Sequence, residues 1–461
     1  MFVSFSGIVD AINNVVWGPI TLFLIVGTGI YLTIRLRFLQ IRDLPYALKL
    51  TFGRSKKNGK SGQGDISHFQ SLMTAMAATL GIGNMTGVAS AILLGGVGAL
   101  FWMWVAASFG MATKYGEAIL AVKYRVVNHK GEISGGPMYY IEKGLGWKWL
   151  AVLFALFGCL ASFGIGNMTQ SNTVASSLAT NFNVNPWVTG FILMALTGLV
   201  LLGGIKGIGR VTAIFVPFMA LFYMAGGLII IVMNITHVPE AFATIFREAF
   251  NTDAALGGTI GMAIRYGIAR GVFSNEAGLG SAPIAAAAAK TDYPGRQALV
   301  SMTGTFLDTM IVCTITGLTI VMSGLHIGRP SDDQALVTGE AFEFFLPGVG
   351  NYIVVFGIIF FAYSTIIGWS YYGEKCFGYL FGDKNTIIYK VIFVIVVMIG
   401  AGTSVQIVWD IADIFNGLMA IPNLIGLLLL SNVIVKETDK FKKVRLQERQ
   451  QAKQTSKQIV S

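Results

Sequence analysis

Charge is what this 461-residue sequence has least of. Asp, Glu, Lys and Arg together make up 12% of it, against about 25% in a soluble globular chain, whose surface has to be wetted. With 54% of the residues apolar and a mean hydropathy of +0.67, most of the surface must meet something other than water. Cysteine is scarce: Cys159, Cys313 and Cys376 lie in apolar stretches without CxxC spacing, which argues against a disulfide framework, a zinc site or a dithiol centre. The four histidines (His68, His129, His237 and His326) fall in expected loops, leaving no haem pair or buried histidine relay. HExxH, a Ser/His/Asp cluster and a P-loop are all missing, so neither an enzyme nor direct ATP coupling is expected, and no cofactor. The net charge of +10 does not indicate nucleic acid, because the basic residues border apolar runs. The class that remains is an all-α integral membrane protein.

What is present is a series of apolar stretches long enough to cross a bilayer, which takes about 20 residues as helix. Eleven spans are predicted, at 14–34, 68–95, 98–121, 148–179, 186–203, 210–234, 257–289, 297–324, 349–378, 386–402 and 408–434. No basic leader or small-residue cleavage site precedes the first, so it reads as a retained span. With the N-terminus outside, 28 of the 33 Lys and Arg fall on the cytoplasmic side, two outside (Arg247, Arg329) and three within spans (Lys114, Arg265, Arg270). That bias sets an outside N-terminus and a cytoplasmic C-terminus in a multi-pass cell-membrane protein. The tail 436–461 is polar, basic and without an apolar stripe, and reads as solvated and partly disordered.

Two spans carry segments unlike ordinary membrane helix. The first runs Thr79-Leu80-Gly81-Ile82-Gly83-Asn84-Met85-Thr86-Gly87, the second Arg270-Gly271-Val272-Phe273-Ser274-Asn275-Glu276-Ala277-Gly278. Placing Asn84 on Asn275 aligns NMTGVASA with NEAGLGSA, which agree at four of eight positions. Each copy begins a block of five spans, and five is odd, so the second block enters from the opposite face. The expected layout is an extra N-terminal span and basic linker (1–66), a first five-helix repeat (67–235), an inverted second repeat (256–435) and the tail (436–461). Paired interruptions of this kind point to a secondary transporter with its site at mid-membrane. Glycine eases departure from helical geometry, and unwinding frees N–H and C=O groups that hydrocarbon cannot satisfy. Half-helix N-termini suit a carboxylate, and freed carbonyls suit an ammonium or Na⁺. Packing of small residues is the competing explanation, but it does not call for Asn twice at matching places.

The stretch GGVGALFWMWVAASFG (95–110) resembles the signature of the alanine/glycine:cation symporter family, and RGVFSNEAGLGSAPIAAAAA (270–289) resembles that family's second broken helix. The likeness covers residues 10–434. It implies a leucine-transporter-like inverted repeat of 5+5 helices with one extra helix in front. The implied activity is import of alanine or glycine with sodium, or in some members protons. The expected partners are L-alanine, glycine and D-alanine as substrates, Na⁺ as coupling ion and the lipid bilayer, with no nucleic acid and no obligate protein partner.

On that resemblance, backbone at Gly81, Ile82, Gly83 and Asn84 receives the substrate carboxylate and carbonyls near Thr79 its ammonium. Phe273, Ser274 and Asn275, in a break running from Gly271, complete the cradle with Phe273 as a wall. Gln170, within the polar run Asn167–Asn172, is the favoured further contact, since amides in a span usually face an interior or a watery path. Trp369 is expected to shape the pocket. In leucine-transporter-like symporters a sodium ion sits between the first broken helix and the span 349–378, so the resemblance places it on carbonyls of Ala77, Leu80 and Phe361 and hydroxyls of Ser364 and Thr365. Hydroxyls that merely bond their own i−4 carbonyl are the alternative. Arg265 or Arg270 with Asp410 or Asp413 would form an outer gate or a fixed ion pair, and Lys114 with Glu117 a structural pair or snorkelling ends. A channel would need a pore loop or charge ring, and neither is visible. The nearest competitor is a symporter of the same architecture for another small solute.

Overall fold

The computed structural model describes residues 5–53, 62–250, 260–330, 333–403 and 406–460. The basic cluster expected at 54–60, the loop before residue 260 and the Asp410 side chain lie outside the described residues. The described chain is helical apart from one short hairpin, in which Val126–Val127 pairs antiparallel with Ile133–Ser134. Among the described residues, seven helices are long and apolar enough to cross a membrane: Gly7–Arg35, Lys148–Phe182, Gly204–Met233, Pro294–Ser323, Gly350–Phe381, Asp383–Gly402 and Ile411–Leu429. This is a multi-pass membrane protein.

The other expected spans take different forms. Residues 186–203 form Pro186–Leu202, whose 17 residues reach about 26 Å at 1.5 Å per residue. Residues 98–121 form Ala99–Lys123, buried along most of its length and carrying Lys114 and Glu117 inside. The stretches 68–95 and 257–289 are interrupted: His68–Thr79 and Thr86–Gly95 make up the first, Ile260–Asn275 and Ala282–Ala287 the second.

Burial sorts the helices into centre and periphery. Gly350–Phe381 packs against both His68–Thr79 and Lys148–Phe163. It can approach the first closely because a Cβ on Gly368 would stand 2.7 Å from the Ala78 backbone nitrogen. Peripheral helices turn large apolar side chains outward, Leu202 at 83% and Ile214 at 73% exposure. Patches of that size on a long helix are what a lipid environment requires.

One expectation fails at the C-terminus. The tail is a helix, Ser431–Val460, docked on the end of the bundle. Phe441 is buried against Gly295, Thr438 accepts from the Tyr115 hydroxyl at 3.1 Å, and Lys123 pairs with Glu437 at 2.9 Å. Arg296 bonds both Asp292 (2.8 Å) and Glu448 (2.7 Å). The Arg445 guanidinium lies 3.6 Å from the centre of the Tyr46 ring and 2.7 Å from Asp43. A helix that buries few apolar residues is held here by ion pairs and ring contacts with short helices of the linker. His68, expected in a loop, begins a helix and is buried beside Gln297, its Nδ1 2.5 Å from Oε1.

Candidate functional site

Both interruptions are present, and they differ. In the first, Leu80 (φ −73°, ψ 91°) and Gly81 (φ −137°, ψ −155°) leave the helix, Ile82–Asn84 form one 3₁₀ turn, and Met85 precedes the next helix. The side chain of Asn84 closes the gap, its Oδ1 accepting from the Gly81 N–H at 3.0 Å.

In the second, the helix continues through Gly271, Phe273, Ser274 and Asn275, so the break expected to run from Gly271 begins at Glu276 instead. Glu276, Gly278 and Gly280 take positive φ (55°, 93° and 85°); for the glycines this costs nothing, for Glu276 it is strained. The groups freed there are taken up by buried side chains. The Gly278 N–H donates to Glu117 Oε1 (3.1 Å), the Gly278 carbonyl accepts from Asn423 (2.9 Å), and the Ala277 N–H donates to Asn275 Oδ1 (2.9 Å). Glu276 accepts from Trp369 Nε1 (2.9 Å) and from Ser281 (2.5 Å). Lys114 and Glu117 therefore neither snorkel nor form an ion pair within 4.0 Å among the described residues.

The five oxygens assigned to sodium converge. Ser364 Oγ lies 3.1 Å from the Ala77 carbonyl, 3.2 Å from that of Leu80 and 2.8 Å from that of Phe361. Thr365 Oγ1 lies 3.5 Å from the Leu80 carbonyl and 3.0 Å from that of Phe361. Both hydroxyls bond the Phe361 carbonyl one turn back, as the alternative has it, but both also reach carbonyls at the first break, so two hydroxyl protons are shared among five oxygen–oxygen approaches. An oxygen-only donor set of this kind fits a hard monovalent cation such as Na⁺. Gly81 has to be glycine here, because a Cβ would stand 2.6 Å from Thr365 Oγ1 and 3.7 Å from Gln170 Oε1.

Gln170 is separated from its neighbours by what they bond. Asn167 donates to the Phe393 carbonyl (2.8 Å) and Asn172 to those of Gly400 and Thr403, all in or next to an adjacent helix. Gln170 Nε2 donates to Ile165 (3.0 Å), while its buried Oε1 has no partner and faces the first break.

An acidic residue within the span 297–324 ties the two breaks together. Asp308, fully buried in the π-helical turns Phe306–Cys313, accepts from Asn84 Nδ2 (2.7 Å), Ser274 Oγ (2.9 Å) and Thr309 Oγ1 (2.7 Å). Asn275 Nδ2 donates to Thr309 (3.0 Å). The matched asparagines thus bond consecutive residues of one helix. A lone Asp followed by Thr inside an apolar span was the available signal.

Cavities lie on both sides of the breaks. On the side away from the tail, about 320 Å³ is lined by Ile82, Gly83, Ile165, Phe273, Arg270 and Asp413, among others. Arg265 there donates to Asn14 (2.8 Å) and Arg270 lies over the Phe273 ring (5.9 Å). On the tail side, a cavity of about 10 Å³ is lined by Thr79 and Asn275, among others. Trp369 lines neither: it is buried, bonded to Glu276, and packed where a Cβ on Gly166 would overlap it. The FWMW motif also lies away from the breaks, Trp102 Nε1 on the Ala249 carbonyl (3.1 Å) and Trp104 Nε1 on Thr314 (2.8 Å).

The profile of the sodium:alanine symporter family matches residues 3–457. The sodium/alanine symporter AgcS of Methanococcus maripaludis is 59% identical over 97% of this chain and 100% of its own. The chain belongs to the sodium:alanine symporter family. The probable sodium/glutamine symporter GlnT of Bacillus subtilis is 39% identical over 93% of this chain and 88% of its own. In fold, the chain is similar to MhsT, solved in complex with L-phenylalanine, with a TM-score of 0.59 and 15% identity over 83% of this chain and 93% of that one. A Na⁺-coupled amino-acid symporter is thus what the site has to serve as.

Proposed function

We propose that this symporter imports L-alanine and glycine with Na⁺ by alternating access, with D-alanine a third candidate substrate. The carrying observation is the oxygen cluster of Ala77, Leu80, Phe361, Ser364 and Thr365, which spans the first break and a continuous helix. A cation there bonds two elements at once and so favours the arrangement in which they touch. We read the chain as eleven spans, an inverted 5+5 repeat behind one extra helix, with the N-terminus outside and the tail in the cytoplasm. On that reading the cavity at Ile82, Gly83 and Phe273 opens outward and the structure is closed inward.

The amino acid then rests on the first break. Backbone from Gly81 to Asn84 takes its carboxylate, and Gln170 Oε1, free to accept, takes its ammonium with the carbonyl end of His68–Thr79. Ile82, Ile165 and Phe273 restrict the side chain. Ser274 and Asn275 act behind this surface, through Asp308 and Thr309, and Trp369 supports the second break instead of walling the pocket. Selection against large side chains by clash is easier than separating alanine from glycine, since one methylene discriminates by only about 1–3 kcal/mol. The reading is of a carrier without catalytic chemistry.

The test is uptake of labelled L-alanine, glycine and D-alanine into proteoliposomes under Na⁺, K⁺ or pH gradients. Saturable uptake driven by the Na⁺ gradient is expected. Uptake equally fast under K⁺, or following the pH gradient alone, overturns Na⁺ coupling.

A further inference from the structure

The tail-side cavity contains a charged group that the site just described does not use. Lys114, in the interior of Ala99–Lys123, is 4% exposed, and its ammonium has no hydrogen-bond partner among the described residues. A buried ammonium left in that state is costly. Three carboxylates, Glu117, Glu276 and Asp308, are near enough to act on it electrostatically. Each is already bonded by neutral donors: Glu117 by Asn423 and the Gly278 N–H, Glu276 by Trp369 and Ser281, Asp308 by Asn84, Ser274 and Thr309. Glu117 Oε2 and the N–H donors of Lys114 stay unused among the described residues.

Those donors border a cavity that Lys114 shares with Thr79, Asn275 and Ser301 and with the small residues Ala75 and Ala282. Thr79 is the last residue of His68–Thr79, the end of that helix where carbonyls concentrate partial negative charge. An ammonium and a negative helix end around one space are the complement of a zwitterion.

We propose that this cavity is a second binding site for the transported amino acid, occupied on its way out, with Lys114 receiving the carboxylate and the end of His68–Thr79 the ammonium. The proposal rests on the transport reading above. At about 10 Å³ the cavity now has space for about one water, so the site forms when the tail-side halves of the broken helices separate. Glu117 and Glu276 then support the substrate ammonium, and Lys114 gains the acceptor it lacks.

The experiment uses the full chain in proteoliposomes of known sidedness, with half-saturating alanine measured from the tail side by efflux and from the opposite side by uptake. Lys114→Met is expected to raise the ratio of tail-side to opposite-side half-saturation about tenfold, the size of one lost hydrogen bond to a charge. An unchanged ratio, whether from no shift or from equal shifts on both sides, overturns the proposal. Should that variant not reach the bilayer, Ala75→Leu fills the same cavity and keeps the ammonium; the same asymmetry is expected, and its absence overturns the proposal equally. If the unsubstituted chain shows no sodium-driven alanine uptake in these vesicles, the transport reading fails instead.

Discussion

Thr365 offers the most direct test of the cation site. Its hydroxyl stands 3.0 Å from the Phe361 carbonyl and 3.5 Å from that of Leu80, on the continuous helix that faces the first break. Thr365→Val keeps the shape and removes the oxygen. A bond from a neutral group to a charged one is worth about 1.5–3 kcal/mol, which at 1.4 kcal/mol per decade is on the order of 10- to 100-fold in half-saturating Na⁺. Linkage fixes how the loss spreads: substrate affinity falls at low Na⁺ and recovers at saturating Na⁺. Thr365→Ser keeps the oxygen and should stay within about threefold of the unsubstituted chain, because only a methyl contact is lost. Thr365→Ala should behave like the valine variant, with added loss from the space it opens. The assay is alanine uptake into proteoliposomes across a Na⁺ titration at constant ionic strength. Unchanged Na⁺ half-saturation in Thr365→Val, with normal protein in the membrane, would remove Thr365 from the site and with it the reason for placing a cation there.

Three other outcomes follow from the geometry. Gly81→Ala places a Cβ 2.6 Å from Thr365 Oγ1, and such overpacking costs about 1–3 kcal/mol; equilibrium binding should show Na⁺ and alanine affinity falling together. Asp308→Asn takes an acceptor from the group holding Asn84 and Ser274, so alanine uptake should drop on the order of tenfold or more, at about 1–3 kcal/mol for an unsatisfied buried group; full activity would show that the link is dispensable. At the tail, burial would raise the Asp43 carboxyl, but the Arg445 and Arg42 guanidiniums outweigh it and hold it below its ordinary value. Docking of the tail helix should therefore be fully supported above pH about 4 and weaken as pH falls below it. Hydrogen exchange in 436–450 reads this out, and Arg445→Ala should lessen the dependence, leaving the part that Glu437 contributes through Lys123.

The first break could be read from the sequence because its cause is local: Gly81 and Gly83 permit the unwound backbone, and Asn84 closes it from three residues away. The second could be located only to within a few residues. Its backbone is satisfied by Glu117 and Asn423, 161 and 145 positions from Gly278, and nothing in the run from Arg270 to Gly278 indicates where those side chains stand. Gln170 was picked out from Asn167 and Asn172 by type, while the structure separates them by the carbonyls of a distant helix. The tail carries no apolar stripe that would mark it as packed, because Asp43, Tyr46 and Arg296 hold it through charge and ring contacts.

The unequal wiring of the two gaps bears on how the carrier can bend. Glu117, Asn423 and Trp369 bolt the later gap into its surroundings whatever the load, so that half serves as an anvil. The earlier gap is spanned by the Asn84 side chain and by the Ser364 hydroxyl on the Ala77 and Leu80 carbonyls. On the transport reading proposed above, flexure would then fall mainly on the earlier gap, stiffer with the ion bound than without it.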